Sequence, residues 1–409
     1  MLRTLKSAGF KAYLVGGLVR DRLRGKPGGD FDVATNARAE QVQKLFRKVI
    51  PTGIQHGTVT VLTKNDKVEV TTFRGEGAYA DGRRPDSVVF LDDVKEDLAR
   101  RDFTMNAMAF DPLGQEFVDP FGGARDLEAR IIRCVGKARD RFSEDGLRPL
   151  RAVRFASILG FDIDPETREA IPATLSTFNK IALERVREEL SKMVVGPQPS
   201  RGVRLLHETG LLQAILPEAA QGDFERTLAR LDACPPRLEV RHAALLFAIS
   251  PEQAQAAMER LRHPRAVIDR TAALVRFESY ALKAYADDAG LRQALSPVGR
   301  VFIEDVLALG AAEARASGDA SLRATCEETS RRTQAVLDAR PALTVGELAL
   351  NGKAVMAILG GGQGPLVGEA LRYLLGEVLR DPAANVPATL ENLLQKWRLE
   401  RGSAAGPVK

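Results

Sequence analysis

The chain has 409 residues, too many for one ordinary core, so two to four domains of roughly 150 residues each are expected. With 44% hydrophobic and 28% charged residues, the composition excludes a disordered chain, and no apolar run reaches the length of a transmembrane helix, so no membrane partner is expected. A net charge of +5 fits a polyanionic partner without demanding one.

In chain order, MLRTLKSAGFKAYLVGG reads as a short helix leading into a strand rather than as a signal peptide, which makes the cytoplasm the expected compartment. In VGGLVRD, Gly16 and Gly17 stand between that strand and a helix. Small residues there let backbone N–H groups approach a triphosphate, with Arg20 able to pair with it; a plain strand-to-helix turn explains the same residues. GGDFDVAT follows, and the two-residue spacing of Asp30 and Asp32 puts both carboxylates on one face of a strand. Their repulsion is relieved by a divalent cation such as Mg²⁺, or by water alone if the pair is simply solvated. AEQVQKLFRKV is helical, and TVTVL and VEVTTF are strands. In VEVT, Glu69 alternates with Val68 and Val70 and so faces away from the core, where it serves either as a third catalytic carboxylate or as a solvated strand residue.

The segment 74–90, RGEGAYADGRRPDSVVF, is polar and arginine-rich and reads as a mobile loop. After about Leu127 strand signals nearly vanish, and LRPLRAVRFASILGF, ERVREELSKMVV and GVRLLHETGLLQAIL carry helical periodicity. Eight Lys or Arg residues against three acidic ones between Arg130 and Arg154 form a local basic excess suited to a phosphate backbone. Gly and Pro mark joints at 196–200, 234–236 and 359–365, and the last residues read as a frayed tail. Cys134, Cys234 and Cys326 are far apart and lack ligand spacing, so they read as small apolar residues rather than as a disulfide or zinc set. The expected architecture is α+β: an N-terminal head with a small mixed β-sheet, then all-helical neck, body and tail regions. The boundaries fall at 1–126, 127–195, 196–305 and 306–409.

GGLVRD, DFDVAT, VEVTTFR and RRDFTMNAMA, in this order, resemble the catalytic head of the polymerase-beta-like superfamily, specifically class II tRNA nucleotidyltransferases and bacterial poly(A) polymerases. DPFGGARDLEARIIR, RFSEDGLRPLRAVRFASILGF and ALERVREEL extend the resemblance to about residue 190, and it is looser beyond residue 200. The resemblance implies that Asp30 and Asp32 bind Mg²⁺ and that Gly17 and Arg20 contact the triphosphate. It also implies that Arg100, Arg101 and Asp102 hold the ribose; without it, these three would read as a charged helix end.

The resemblance further implies that Asp145 and Arg148, in EDGLR, read the incoming base in place of a nucleic-acid template. Cytosine and adenine both present an amino donor beside a ring-nitrogen acceptor, which a carboxylate and a guanidinium fit, whereas uracil and guanine reverse the order. Arg151 and Arg154 are implied to contact the nucleotide as well. Positions 145, 148, 151 and 154 recur at a spacing close to one helical face, leaving Leu147, Leu150 and Phe155 for packing, although Pro149 requires the helix to start or kink nearby.

In the family, the loop at 74–90 is linked to the switch from C to A addition, and its presence argues against a strictly CC-adding member. His56, His207, His242 and His263 are each followed by a residue other than Asp, so the HD phosphohydrolase site of some relatives is not expected, and His242 reads as a packed histidine. The implied activity is template-independent addition of CCA from CTP and ATP to an RNA 3′ end, with pyrophosphate released. A-only addition and poly(A) synthesis are the near alternatives, and a non-catalytic RNA-binding protein is a remoter one.

Overall fold

The computed structural model describes residues 1–26, 31–64, 66–76, 88–360 and 364–404. The chain divides into two compact units, one formed by residues 1–220 with 260–262 and the other by 221–259 with 263–409.

The first unit opens with α1 (Leu2–Ser7), β1 (Ala12–Val15), α2 (Gly17–Leu23), β2 (Phe31–Thr35), α3 (Ala39–Leu45), β3 (Val49–Gly53), β4 (Thr58–Leu62) and β5 (Lys67–Thr72). A short hairpin, β6 (Arg74–Glu76) and β7 (Val88–Phe90), precedes α4 (Val94–Ala99), β8 (Ala109–Asp111) and β9 (Glu116–Val118). Seven strands make one sheet in the order β3-β4-β5-β2-β1-β8-β9. Only β2 and β5 run parallel within it; the other neighbours are antiparallel, so the sheet is mixed.

Side chains on this sheet follow the period of two. On β5, Val68, Val70 and Thr72 are buried while Lys67 and Glu69 are exposed. Val33, Val59, Val61, Val68 and Val70 cluster with Leu5, Ala39 and Val42 on one face. Tyr13, Val15, Ala34, Phe73, Leu98 and Ala109 form the cluster on the other. Burying each of these valines contributes about 1.5–3 kcal/mol, so a one-residue slip of β2 or β5 would expose the pattern and is strongly disfavoured.

Helices follow: α5 (Gly123–Glu128), α6 (Ala138–Glu144), α7 (Arg148–Leu159), α8 (Pro165–Ala173), α9 (Leu175–Phe178), α10 (Leu183–Val194), α11 (Pro199–Glu208) and α12 (Leu211–Ile215). They are interrupted only by the two-residue strands β10 (Ile131–Ile132) and β11 (Asp162–Ile163), which pair in parallel. Pro149 sits in the first turn of α7, where no intrahelical N–H is needed, so the helix starts at Arg148 instead of kinking. Gly160, at φ 70°, ends it. The unit boundary at 220–221 falls inside the expected third region because α11 packs back on the first unit. A Cβ at Gly202 would stand 2.8 Å from Met193 Cγ and 3.0 Å from Ser157 Cβ.

Among its described residues the regular elements of the second unit are all helices, from Phe224–Ala233 to Pro387–Ala404. Its longest helix, Asp288–Ala316, is broken at Gly299, whose φ of 71° and ψ of 165° lie outside the helical region. Within this unit His242 is fully buried against His263, the rings edge to face at 4.8 Å. All three cysteines are buried and free, as small apolar residues should be. Among the described residues, no helix is long and apolar enough to cross a membrane.

Candidate active site

The turn from β1 into α2 places Gly16 at φ 70°, a conformation L side chains rarely adopt. A Cβ there would stand 3.1 Å from Arg101 Nη1 and 3.5 Å from Asp32 Oδ2, so the carboxylate, the guanidinium and the glycine backbone converge on one spot. A Cβ on Gly17 would stand 3.6 Å from Arg20 Nη2, so Arg20 curls back over the start of its own helix.

Asp32 is registered directly beside Glu69 across the parallel β2–β5 pair, which puts the two side chains on the same face of the sheet. This is the arrangement that alternation in VEVT anticipates. Asp30 lies outside the described residues, as do residues 77–87 of the polar loop. Hard carboxylate oxygens on adjacent strands are a donor set suited to a divalent cation of the Mg²⁺ kind. Among the described residues there is no group of three or more His, Cys, Asp or Glu side chains able to hold a metal.

Asp97, at the buried side of α4, organises the two arginines that follow that helix. Its Oδ1 accepts from Arg100 Nε at 2.9 Å and Nη2 at 2.8 Å, and its Oδ2 from Arg101 Nη2 at 3.4 Å. It also accepts from the Arg74 backbone N–H at 3.3 Å, tying the base of the β6–β7 hairpin to the same carboxylate. Burial pushes its carboxyl up, but the Arg100 and Arg101 charges overcome this and hold it below the usual carboxylate range.

Asp102 is the next hub. Oδ1 accepts from the Phe103 N–H at 2.8 Å and from Asn106 Nδ2 at 3.1 Å; Oδ2 accepts from Arg151 Nε at 2.9 Å and Nη2 at 2.6 Å. Desolvation raises its pKa, yet the Arg151 charge and the Asn106 and Arg151 hydrogen bonds bring it down to about 2. Asn106 in turn accepts from Arg20 Nη1 at 2.8 Å, so Arg20 and Arg151 are linked through Asn106 and Asp102.

The EDGLR residues form a tight turn. The Arg148 N–H bonds Asp145 O at 3.0 Å, and Gly146 is required there because a Cβ would meet Thr177 O at 2.7 Å. Asp145 follows the end of α6 in extended conformation, so it does not share a helix with positions 148, 151 and 154, contrary to the single-face spacing. Its Oδ1 accepts from the Leu147 N–H at 3.0 Å and its Oδ2 from Arg185 Nη2 at 2.8 Å. Arg148 is buried and donates to Glu144 Oε2 at 2.6 Å, to Arg141 O at 2.9 Å and to Arg100 O at 2.9 Å.

Arg151 and Arg154 share a buried counter-charge, Glu189 on α10. Burial lowers the Arg154 pKa more than Glu189 raises it, whereas for Arg151 the Asp102 and Glu189 charges outweigh burial and raise it. Sequence reasoning missed Asp97, Asn106, Arg185 and Glu189. Their signal was limited to polar residues at apolar helical positions, as at Glu189 between Val186 and Leu190.

Residues 12–133 match the family model described as Poly A polymerase head domain, and residues 160–222 match the one described as probable RNA and SrmB- binding site of polymerase A. The chain is 39% identical over 416 residues to the CCA-adding enzyme of Geobacillus stearothermophilus, covering 98% of this chain and 96% of that one. It is 38% identical over 409 residues to the CCA-adding enzyme of Geobacillus thermodenitrificans, with the same two coverages. The solved CCA-adding enzyme of Bacillus stearothermophilus in complex with CTP superposes with a TM-score of 0.80 at 35% identity, covering 99% of this chain and 97% of that one. A mixed sheet carrying Asp32 beside Glu69, the arginines of α7 and a correspondence over nearly the whole of both chains lead to one assignment: the chain belongs to the CCA-adding enzyme family of nucleotidyltransferases.

Proposed function

We propose that the chain adds the CCA end to tRNA from CTP and ATP, releasing pyrophosphate, and that it acts in the cytoplasm. The observation that carries this reading is the Asp145–Arg148 turn. It holds a carboxylate and a guanidinium at the two ends of one four-residue loop, the pair that matches the edge shared by cytosine and adenine. One site then serves both nucleotides without a template strand.

The family generally uses divalent metal ions. We assign Mg²⁺ to Asp32 and Asp30, with Glu69 beside Asp32 as a third carboxylate; a bound cation would offset the charge that builds up on the phosphates. The chain's own residues bind and orient. Gly16 and Gly17 let the backbone come close to the triphosphate, and Arg20 pairs with its oxygens. Arg100, Arg101 and Asp102 hold the ribose, and Arg151 and Arg154 on α7 contact the nucleotide. The RNA 3′-OH attacks the α-phosphate in line, a new phosphodiester forms, and the bond to pyrophosphate breaks. Residues 1–126 act as catalytic head and 127–195 as a base-reading neck, while 196–305 and 306–409 grip the RNA.

The test is to incubate the protein with labelled CTP and ATP and tRNAs lacking one, two or three terminal nucleotides, then sequence the ends. Two C additions followed by one A and a halt are expected. Long A tails on tRNA and unrelated RNA would make it a poly(A) polymerase, and A addition confined to ends already carrying CC would make it an A-adding enzyme.

A further inference from the structure

Phe155, on α7, was expected only to pack. Its ring is buried, and three guanidinium carbons lie over it: Arg154 at 3.9 Å from the centroid, Arg20 at 5.3 Å and Arg151 at 5.5 Å. Every other aromatic ring in such a contact among the described residues carries one. The three arginines come from two helices more than a hundred residues apart in sequence, α2 and α7. A cation within about 6 Å of a ring centroid is attracted to the negative π face. The ring itself is fixed by Phe103, edge to face at 5.8 Å and 85°, and Phe103 adjoins Asp102.

Each of the three guanidiniums also has a carboxylate partner: Asp21 for Arg20, Asp102 for Arg151 and Glu189 for Arg154. These two kinds of partner differ once an anion arrives. A carboxylate competes with a phosphate for the same N–H donors and repels it. An aromatic face holds the cation without a net charge and leaves the N–H edges free to turn toward an anion.

We propose that Phe155 is a positioning residue for the nucleoside triphosphate, a neutral anchor that keeps Arg20, Arg151 and Arg154 in register while their hydrogen bonds pass from carboxylates to phosphates. The inference rests on the nucleotide-binding role given to these arginines above. It predicts that nucleotide affinity follows the electrostatics of the ring and not merely its volume.

The experiment replaces Phe155 with mono-, di- and trifluorophenylalanine, which drain the π face step by step at nearly constant shape, alongside Phe155→Tyr and Phe155→Leu. KM and kcat for CTP and ATP are read on tRNA lacking CCA, and CTP affinity is read by calorimetry on the full chain. Two or three weakened contacts should raise KM and Kd stepwise, by about tenfold at trifluorophenylalanine. Turnover should stay within about twofold, and Phe155→Tyr should behave like the parent. A flat fluorination series, or a loss confined to Phe155→Leu, overturns the proposal and leaves the ring a packing residue. If CTP affinity falls along the fluorine series as expected but the parent chain adds no CCA, the functional reading fails while this one stands.

Discussion

Arg151 reaches from α7 to Asp102 with Nη2 2.6 Å and Nε 2.9 Å from the same carboxylate oxygen, while the other oxygen is held by Asn106 and the Phe103 N–H. The pair therefore fastens α7 to the segment that carries Arg100 and Arg101. Breaking a buried pair from one side leaves an uncompensated charge, costing about 3–5 kcal/mol, and partial exposure of Arg151 reduces that. Asp102→Asn and Arg151→Met should each destabilise by about 2 kcal/mol. Because they share one interaction, the double variant should lose clearly less than the sum. Urea unfolding of the three variants measures this, and strict additivity would show that the contact carries no coupling.

Substitution of Asp32 by Ala should abolish incorporation of CTP and ATP together while leaving tRNA affinity within a few-fold, because RNA affinity comes from distributed basic contacts. The same outcome is expected for Asp30→Ala. Glu69→Gln, one strand away from Asp32 in register, should raise the Mg²⁺ concentration needed for half-maximal rate. Metal titrations of primer extension, with tRNA binding measured alongside, separate these effects. Appreciable turnover by Asp32→Ala would remove the metal assignment.

Base choice provides the third expectation. Asp145→Ala and Arg148→Ala should each lower kcat/KM for CTP and ATP and relax discrimination against UTP and GTP. A mispaired buried donor or acceptor of this type is worth a factor of about 10⁴ at most sites built for it. Arg185→Ala, which frees Asp145 Oδ2 from its ion pair, should shift the same ratio more weakly. An unchanged ratio in both Asp145→Ala and Arg148→Ala would reduce the turn to a structural element.

His242 makes stability depend on pH. Complete burial, with His263 adding to it, pushes its pKa from 6.5 down to about 3. The folded chain therefore keeps this imidazole neutral while the unfolded chain takes up a proton below about pH 6.5. The contribution is fully present above the unfolded value and is lost as pH falls toward the folded one. At pH 5 the loss from this one group should be about 2 kcal/mol. Replacing His242 by Leu should flatten the difference in denaturant midpoint between pH 7.5 and pH 5. An equally steep dependence in His242→Leu would assign it to other groups.

Much of this was legible in the sequence because it is local. Alternation in VEVT sets Glu69 outward, and its neighbour Asp32 shares that face because strands have a strict period of two. Other features gave no local pattern. β3 carries Pro51 and is mostly exposed on the sheet edge, and β8 and β9 are three residues each, too short for alternation to register. The placement of Asp145 depended on where α7 begins, which Pro149 hinted at without fixing. Glu189 escaped notice for a different reason: a carboxylate on a helix reads as solvated until its arginines, 35 and 38 residues distant for Arg154 and Arg151, are seen to close over it. Phe155 looked apolar and is apolar; what the sequence concealed was the charge gathered around it.

The strand order has a consequence for how the chain comes into being. Strand β2, which bears Asp32, is enclosed by β1 on one side and by β5 on the other, and β1 in turn needs β8, so that Leu14 faces Phe110 across nearly a hundred intervening residues. Pairings this distant must close large loops before any contact rewards them, and they form slowly. During synthesis, β1 and the segment carrying Asp32 emerge before β5 and long before β8. The nascent protein passes through a stage in which Asp32 exists but has no complete sheet to stand in; the sheet closes around it only once β8 has been made, and the Arg151–Asp102 contact must wait for α7 as well.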